Sequence, residues 1–378
     1  MRILQVAPYF PPYLGGQERY IYNLGRGLVS LGHEVWVLTS NFPESIAVEM
    51  VDGIKVIRYK CIARILRNPI TPGLALPKED LQGFDVIHAH NEHSFAAIAG
   101  LFLRRRLGIP LVLSHHGKLI FGSFLPDMAT KLYDRTIGRI ILRHADKVIV
   151  NSPSDANRIL RAGVDEKNLV VIPNAIDRQH WTPYLAQDCQ EFKRRYNLLE
   201  KRVILFTGQI IKRKGIDYLL RALPMVVKSH PDTICLFVGD GNYKTKAEAL
   251  ARQLKIEAHV RFTGTLSGSD LAMAYKSADV CVLPSLSDSV PTSLMEAMIF
   301  SKPVVATDIE GIRDFFNEVA LLVPPQNAGE LSSAILKVLN DQTLAARLGE
   351  EGRRLVNSRF TWERSAKEIL SVYEEVAR

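Results

Sequence analysis

A regular alternation of short apolar runs with amphipathic stretches constrains the fold of this chain more than any other feature. In the first half, five apolar runs have the length of buried strands, namely "RILQVAP", "HEVWVLTS", "DVIHAHN", "PLVLSHHG" and "DKVIVNS". After the first of them, "ERYIYNLGRGLVSLG" places Ile21, Leu24 and Leu28 on one face of a helix. Strands that alternate with helices predict a mostly parallel, doubly wound α/β sheet.

The same alternation begins again after a break. The stretch "VIPNAIDRQHWTPYL" contains two Pro, an Asn and an Asp, and it predicts an interdomain linker at about residues 174–188. Beyond it, six further strands are predicted, namely "RVILFTGQ", "TICLFVGDGN", "AHVRFTGTL", "ADVCVLPS", "PVVATD" and "VALLVPPQN". The 378 residues therefore form two successive Rossmann-like domains. Since open α/β sheets bind ligands beyond the carboxyl ends of their strands, we expect a ligand cleft between the two domains.

Composition narrows the cellular context. No run of eighteen apolar residues is present, so no transmembrane helix is expected. The opening "MRILQVAPYFPP" has too short an apolar core for a signal peptide. The four cysteines are widely spaced and form no CxxC pair, which is typical of reduced thiols in a cytoplasmic protein.

The net charge of +8 is concentrated in the first half. Residues 1–180 carry 22 basic and 16 acidic side chains, a balance of +6. The excess is densest over residues 101–144, where Arg and Lys are mixed with aromatic and aliphatic residues. Such a surface suits an anionic partner such as a phospholipid face or a pyrophosphate-linked acceptor, although an ordinary helix with a solvated basic face explains it better. No nucleic-acid-binding module is visible, so nucleic acid is not an expected partner.

Two carboxylates flank a predicted helix start in "LPSLSDSVPTSLMEA". Asp288 lies in the loop after a strand, and a helix is expected to begin near Pro291, which places Glu296 in its second turn. The free amides of the first turn form an anion site between the two carboxylates. The spacing fits a nucleotide-sugar, with Glu296 on the ribose and Asp288 on the sugar. A solvated acidic loop with a helical Glu is equally compatible with the spacing.

Two further loops follow strands. In "FTGQIIKRKGIDYLL", three basic residues, Lys212, Arg213 and Lys214, precede a helix. A Lys at this place neutralises a leaving diphosphate, although a solvated basic turn is as consistent with the pattern. In "PPYLGGQERY", Gly15 and Gly16 allow a close approach of backbone to a ligand, but the pattern is not GxGxxG, and a structural turn explains it better.

Five of the ten histidines lie within thirty residues: His88, His90, His93, His115 and His116. Their spacing lacks the ligand pattern of a zinc site, so no metal is expected. His115 and His116 end a predicted strand before Gly117 and are candidates for contact with a ligand. His88 and His90 fit hydrogen-bonded core imidazoles better.

Taken in order, these segments resemble the retaining glycosyltransferases of family 4, which have the two-domain B-type fold. The Gly-Gly loop, "SHHG", "VIPNAID", "TGQIIKRKG" and above all "DSVPTSLMEAM", which is similar to the family's Glu-x7-Glu motif, carry the resemblance over essentially the whole chain. The resemblance implies an acceptor-binding domain over residues 1–178, a nucleotide-sugar-binding domain over 179–361, and a last helix, 362–378, that crosses back to complete the first domain.

The resemblance also implies roles for individual residues. His116, Lys214 and Asp288 would be catalytic: Lys214 would hold the diphosphate, Asp288 would contact the transferred sugar, and His116 would lie close to it. The donor-binding set would comprise Gly15, Gly16, Gln209, Lys214, Leu266, Asp288, Ser289, Val290, Thr292, Ser293 and Glu296. No metal or other cofactor would be needed, because Lys214 and helix amides neutralise the leaving group.

Three positions depart from the family pattern. Asp288 replaces the first Glu, Gln209 replaces an Arg, and Ala175 replaces a Gly. The loss of the Arg removes a fixed positive charge from the phosphate site. The expected function is transfer of a sugar, with retention, from a nucleoside diphosphate to a glycan or lipid-linked glycan acceptor in the cytoplasm, with an anionic inner membrane face as a further partner. A non-catalytic sugar-nucleotide-binding paralogue and a nucleotide-sugar epimerase are the alternatives.

Overall fold

The structure, a computed structural model, describes residues 1–13, 15–66, 68–117 and 124–378. Residue 14 of the predicted Gly-Gly loop and residues 118–123 of the basic stretch lie outside the described residues. The chain divides into two compact units, one of Met1–Ala175 with Trp362–Arg378 and one of Ile176–Thr361. The sequence predicted this boundary after residue 178.

The first unit is built on an eight-stranded sheet and a small two-stranded hairpin, β5–β6. Its strands are β1 (Arg2–Val6), β2 (Glu34–Asn41), β3 (Val48–Val51), β4 (Ile54–Lys60), β5 (Ala63–Ile65), β6 (Asn68–Ile70), β7 (Val86–His90), β8 (Leu111–Ser114), β9 (Lys147–Val150) and β10 (Leu169–Val171). The order across the large sheet is β10-β9-β8-β7-β1-β2-β4-β3, and its pairs are parallel except β3 with β4. The strand order reverses between the neighbouring strands β1 and β7, so the switch point of the sheet lies at the carboxyl ends of these two strands.

Helices cover both faces of this sheet. They are α1 (Gly16–Ser30), α2 (Phe95–Leu107), α3 (Phe124–Tyr133), α4 (Arg139–His144) and α5 (Pro153–Arg161). Neighbouring residues of a strand point to opposite faces, so Ile3 packs in one core with Leu24 of α1, while Leu4 packs in another with Leu103 of α2. The first unit is therefore doubly wound, as the alternation predicted.

The second unit has a six-stranded, all-parallel sheet with the order β13-β12-β11-β14-β15-β16. Its strands are β11 (Arg202–Thr207), β12 (Thr233–Val238), β13 (Val260–Gly264), β14 (Val280–Leu283), β15 (Val304–Thr307) and β16 (Leu321–Val323). Its helices are α6 (Arg178–Leu185), α7 (Gln190–Arg195), α8 (Ile216–Ser229), α9 (Lys244–Gln253), α10 (Gly268–Ser277), α11 (Thr292–Ile299), α12 (Glu310–Phe316), α13 (Ala328–Asn340) and α14 (Gln342–Arg359). The order reverses between β11 and β14, so the loops after these two strands flank the switch point, where open sheets bind ligands.

The last helix, α15 (Trp362–Val376), belongs to the first unit. Its Ile369 and Tyr373 are buried with Leu24 of α1 in one core, and the Tyr373 hydroxyl lies 2.5 Å from Nδ1 of His88. The predicted return of the last helix to the first domain is confirmed. No helix in the described parts of the chain is both long and apolar enough to cross a membrane.

The predicted linker at residues 174–188 is wrong over most of its length, because α6 occupies it. The side chain of Asp177 caps this helix by accepting a hydrogen bond from the His180 amide at 3.2 Å. Trp181 is buried in the core of the second unit. Capping and burial of a large ring outweigh the unfavourable Pro183 inside the helix, and neither effect is visible in local composition.

Candidate functional site

Most of the residues predicted to bind a donor lie in the loops after β11 and β14 of the second unit. The chain leaves β11 through Gly208 and Gln209 and passes a single tight turn, Lys212–Lys214, before α8 begins. It leaves β14 through a loop that contains Asp288 and enters α11 at Thr292, next to the predicted start at Pro291. Both loops extend from the switch point, which explains why chemistry-bearing residues separated by more than seventy positions meet there.

Two cations converge on Asp288. Nζ of Lys214 lies 2.8 Å from Oδ2 and 3.0 Å from Oδ1 of this carboxylate, and Nη1 of Arg213 lies 2.9 Å from Oδ1. The side chains of Lys214 and Asp288 are 12% and 11% exposed, so the pair is shielded from water. Arg213 also donates to the carbonyl of Ser287 at 2.8 Å, which holds its guanidinium against the loop. One carboxylate neutralised by two cations leaves a local excess of positive charge.

The charge state of Asp288 follows from this arrangement. Burial opposes its ionisation, but the charges of Lys214 and Arg213 outweigh burial and hold the pKa of Asp288 below its ordinary value. The carboxylate is therefore ionised at neutral pH. It orients the Lys214 ammonium and the Arg213 guanidinium in a low-dielectric setting, where they act more strongly on an anion than they would in water.

Two glycines allow the loops to approach so closely. Gly215 has φ +68°, and a Cβ at this position would lie 1.9 Å from the carbonyl oxygen of Pro284 in the other loop. A Cβ at Gly311 would lie 2.0 Å from the carbonyl oxygen of Ser289. Any larger residue at either position would move the loop that carries Asp288, so the ion pair depends on both glycines.

Glu296 is held in place by a tyrosine hydroxyl that the sequence analysis did not single out. Its Oε2 lies 2.7 Å from the hydroxyl of Tyr275, which in turn lies 2.7 Å from Oγ1 of Thr207. Because a carboxylate only accepts, Tyr275 donates to Glu296 and Thr207 donates to Tyr275. The relay fixes Glu296 at the surface of the site, with 8% of the residue exposed. Burial, followed by the charge of Glu296, raises the pKa of Tyr275 well above its ordinary value, which keeps the hydroxyl protonated.

The other predicted donor residues line the same loops with varied exposure. Gln209 and Thr292 are exposed, Ser289 and Ser293 are half-buried, and Val290 is buried. Leu266, in the loop after β13, packs against the core of the unit. General helix geometry leaves the first amides of α11 without intrahelical partners, so the N-terminus of this helix carries partial positive charge beside Asp288.

Gly15, Gly16 and His116 belong to the first unit, so the predicted residues form two separate groups. Gly15 precedes α1 in an extended conformation, and a Cβ there would lie 2.2 Å from Oε2 of Glu18. A Cβ at Gly16 would have no described atom within 4 Å, so the backbone there is open to a ligand. His116 follows β8 and is half-buried, with its ring edge-on to Tyr20 at a centroid distance of 4.8 Å.

The neighbouring imidazoles of His88, His90 and His116 form a row of uncharged side chains. His116 Nε2 lies 3.2 Å from Nδ1 of His90, whose Nε2 lies 3.3 Å from Oε1 of Gln5. His88 pairs with Oγ of Ser114 at 2.8 Å. Burial lowers the pKa of His88 and of His116 to about 3 and lowers that of His90 well below its ordinary value. The interpretation of His88 and His90 as hydrogen-bonded core imidazoles is confirmed.

The remaining two histidines surround Glu92 in the loop after β7. Nδ1 of His115 lies 2.7 Å from Oε1 of Glu92, and Nε2 of His93 lies 3.2 Å from the same oxygen. Burial alone would raise the pKa of Glu92, but the two histidines lower it to about 2. Within the described ranges, no group of three or more His, Cys, Asp or Glu residues is arranged to hold a metal ion.

Comparison with known proteins identifies the family. A model described as Glycosyltransferase Family 4 matches residues 14–180, and one described as Glycosyl transferases group 1 matches residues 188–355. Together these matches span most of the chain. The chain belongs to family 4 of the glycosyltransferases. The resemblance inferred from the sequence is therefore confirmed.

Individual relatives and structures agree with this assignment. The phosphatidyl-myo-inositol mannosyltransferase of Mycolicibacterium smegmatis is 29% identical over 389 residues, which cover 100% of this chain and 94% of the relative. A sucrose-phosphate synthase from Thermosynechococcus elongatus has a TM-score of 0.83 at 25% identity, covering 99% of this chain and 98% of its own. HepE of Anabaena, solved in complex with UDP-glucose, has a TM-score of 0.78 at 19% identity, and the match covers 99% of this chain and 100% of HepE. The predicted two-domain B-type fold is confirmed.

Sequence reasoning missed several residues that contact the predicted site residues of this glycosyltransferase or lie in the neighbouring loops. Tyr275 and Thr207 carry no local signal, because an isolated Tyr and Thr in apolar runs have the pattern of core residues. Glu92 lies in the "HNEHS" loop, where its flanking histidines were a signal that we weighed only for metal binding. Arg213 was recognised as one of three basic residues, but only the structure separates it from the exposed Lys212.

Proposed function

We propose that this family 4 glycosyltransferase moves a sugar from a nucleoside diphosphate to an acceptor hydroxyl with retention at the anomeric carbon. The observation that carries the proposal is the convergence of Lys214 and Arg213 on Asp288 at the switch point of the second sheet. A diphosphate that enters this position meets two oriented cations and a helix N-terminus. Charge that develops on the leaving group is therefore stabilised without reorganisation.

The donor occupies the second unit in this proposal. Lys214 and Arg213 neutralise the diphosphate, the amides of Thr292 and Ser293 bind its oxygens, and Glu296 accepts hydrogen bonds from the ribose. Asp288 orients both cations and contacts the hydroxyls of the sugar. The relationship to HepE, solved in complex with UDP-glucose, supports a nucleotide-sugar donor. The charge of the two cations and the helix makes a metal ion unnecessary for leaving-group departure.

Retention follows from a front-face displacement. The departing phosphate takes the proton of the acceptor hydroxyl while the new bond forms on the same face of the sugar, so no covalent enzyme intermediate is needed. His116 contributes as a neutral hydrogen-bonding group near the transferred sugar. Its low pKa, caused by burial, supports this role because an uncharged imidazole binds a hydroxyl without opposing the positive charge that develops on the sugar.

The acceptor binds the first unit and is a glycan or lipid-linked glycan of cell-surface synthesis, used at the inner face of the membrane. The positive balance of residues 1–180 supports an anionic acceptor or surface. The name of the Mycolicibacterium smegmatis relative, a phosphatidyl-myo-inositol mannosyltransferase, supports a lipid-borne hydroxyl.

A thermal-shift panel with UDP, GDP, ADP and their common sugar conjugates tests the donor site. A nucleotide present at a hundred times its dissociation constant stabilises a protein by roughly 2.7 kcal/mol. We expect a shift with one base that is lost in Lys214→Ala and Glu296→Ala and kept in the matched control Lys212→Ala, because Lys212 is exposed. The absence of a shift with every nucleotide contradicts the proposal.

Turnover separates the proposal from its two alternatives. Release of nucleotide only when acceptor is added, with the same anomeric configuration in donor and product by NMR, supports a retaining transferase. The exposed neutral Gln209 favours one alternative, a non-catalytic paralogue, which predicts donor binding without turnover even in Gln209→Arg. Conversion of the donor sugar without acceptor would instead establish an epimerase.

A further inference from the structure

An unusual row of exposed apolar side chains lies on α3 and α4 of the first unit. Leu125, Met128, Leu132 and Ile140 are 69%, 52%, 65% and 51% exposed, and Phe124 at the start of α3 is 80% exposed. The spacings of three and four residues place Leu125, Met128 and Leu132 on one side of α3. A π-helical turn, Asp134–Gly138, then joins α3 to α4, where Ile140 is again exposed. Large apolar residues grouped in this way mark a surface that is covered by something else.

A basic row runs beside the apolar one. Four basic residues recur at intervals of four along α3, the π-helical turn and α4, and all are exposed, namely Lys131, Arg135, Arg139 and Arg143. The two acidic residues of the segment, Asp127 and Asp134, are half-buried. The outward side therefore combines apolar and positively charged side chains, and we call Phe124–His144 with these two rows the α3–α4 face.

The orientation of the α3–α4 face is fixed by its inward side. Thr130, Ile141 and Leu142 are buried, with Ile141 and Leu142 in the core on one face of the first sheet. The neighbouring helix α2 packs against α4 and carries a further exposed apolar side chain, Phe102 at 46%, and the exposed Arg105. The apolar row consequently cannot turn inward without breaking the core.

We propose that the α3–α4 face docks this protein on an anionic lipid surface, with the apolar row inserted among the acyl chains and the basic row on the phosphates. An amphipathic helix of this pattern lies in the plane of a bilayer interface. A second copy of the chain fits the face poorly, because a symmetric contact would oppose the two basic rows and the segment offers no fully exposed acid to neutralise them. The inference rests on the proposed function for its purpose, which is to bring the enzyme to a lipid-borne acceptor.

Vesicle sedimentation of the full chain, without nucleotide or acceptor, tests the docking. Vesicles of phosphatidylcholine with 30% phosphatidylglycerol, and of phosphatidylcholine alone, serve as probes at low and high salt. We expect the wild-type protein to sediment with the anionic vesicles at low salt, and not with them at high salt or with vesicles of phosphatidylcholine alone. Leu125→Gln with Leu132→Gln should bind on the order of a hundredfold more weakly. Lys131→Gln with Arg135→Gln should lose about fivefold in binding per side chain and about half of the salt dependence, because Arg139 and Arg143 remain.

A matched control uses exposed apolar residues elsewhere on the first unit. Ile46 and Met50 are 63% and 64% exposed, and Ile46→Gln with Met50→Gln should bind vesicles like wild type within twofold. The proposal is overturned if this control loses as much vesicle binding as the apolar-row variant, or if the apolar-row variant binds as tightly as the wild type. It is also overturned if the wild-type protein does not bind anionic vesicles. A dimer in sedimentation velocity that the apolar-row variant abolishes likewise overturns the proposal. Donor-induced thermal shifts, measured separately, report on the proposed function and should be the same in all variants.

Discussion

Replacement of Tyr275 by Phe tests whether the relay from Thr207 to Glu296 is as important as its geometry indicates. The substitution removes one hydroxyl and keeps the ring, which stacks on Phe300 with a centroid distance of 5.6 Å and meets Trp181 edge-on at 6.1 Å. The core packing is therefore preserved. What changes is that Glu296 loses its 2.7 Å donor and Thr207 loses its acceptor.

The magnitude follows from the charge and burial of the pair. A hydrogen bond to a charged group contributes about 1.5–3 kcal/mol, and a buried hydroxyl left without its partner adds to the loss. We expect a cost of about 2–4 kcal/mol, which for a unit of this size lowers the Tm by roughly 4–16 °C. Because the ribose contact proposed for Glu296 would be made in both the ground state and the transition state, the donor KM should rise about tenfold while kcat changes little.

Calorimetry and initial rates at varied donor concentration measure both effects. Tyr243→Phe is the matched control, since its hydroxyl lies 3.4 Å from Asp217 in a half-buried position and should contribute less than about 1 kcal/mol. A Tyr275→Phe variant as stable as wild type would refute the relay. A variant that is destabilised but keeps the wild-type KM would show that the orientation of Glu296 does not matter for donor binding.

Three further predictions follow from the two units. Since the pKa of Glu92 is lowered to about 2, its ionised form stabilises the protein fully above its ordinary pKa and progressively less as the pH falls towards 2; Glu92→Gln should therefore cost on the order of 3 kcal/mol at neutral pH, a difference that shrinks below about pH 4.5 in equilibrium denaturation. Gly215→Ala should cost about 2–4 kcal/mol in urea denaturation, because its Cβ meets the Pro284 carbonyl at a positive φ; a normal transition midpoint would contradict the close approach of the two loops. Arg213→Ala should weaken donor binding in titration calorimetry about tenfold, whereas Lys212→Ala should change it less than twofold; equal effects would mean that contact with Asp288 confers no advantage.

Much of the fold was predictable from local pattern. Apolar spacing identified all six strands of the second sheet and five strands of the first unit, and the motif order indicated the family. Strands β3 and β4 were not predicted, because the stretch "AVEMVDGIKVIRYK" has too many polar residues to resemble a buried strand. The helix over Arg178–Leu185 was not predicted, because Pro173 and Asp177 before it and Pro183 inside it have the composition of a loop. Only the burial of Trp181 reveals its packing.

The sequence by itself determined which chemistry each strand end carries: basic residues after β11, a carboxylate after β14 and histidines after β7 and β8. It could do so because periodicity and turn residues are local. Only the tertiary structure decided which side chains meet. Lys214 reaches Asp288 across 74 positions, and Tyr275 reaches Glu296 across 21, because strand order places β11 beside β14 and closes their loops on Gly215. Such pairings depend on the order of strands and on close backbone contacts, and no local stretch of sequence encodes either.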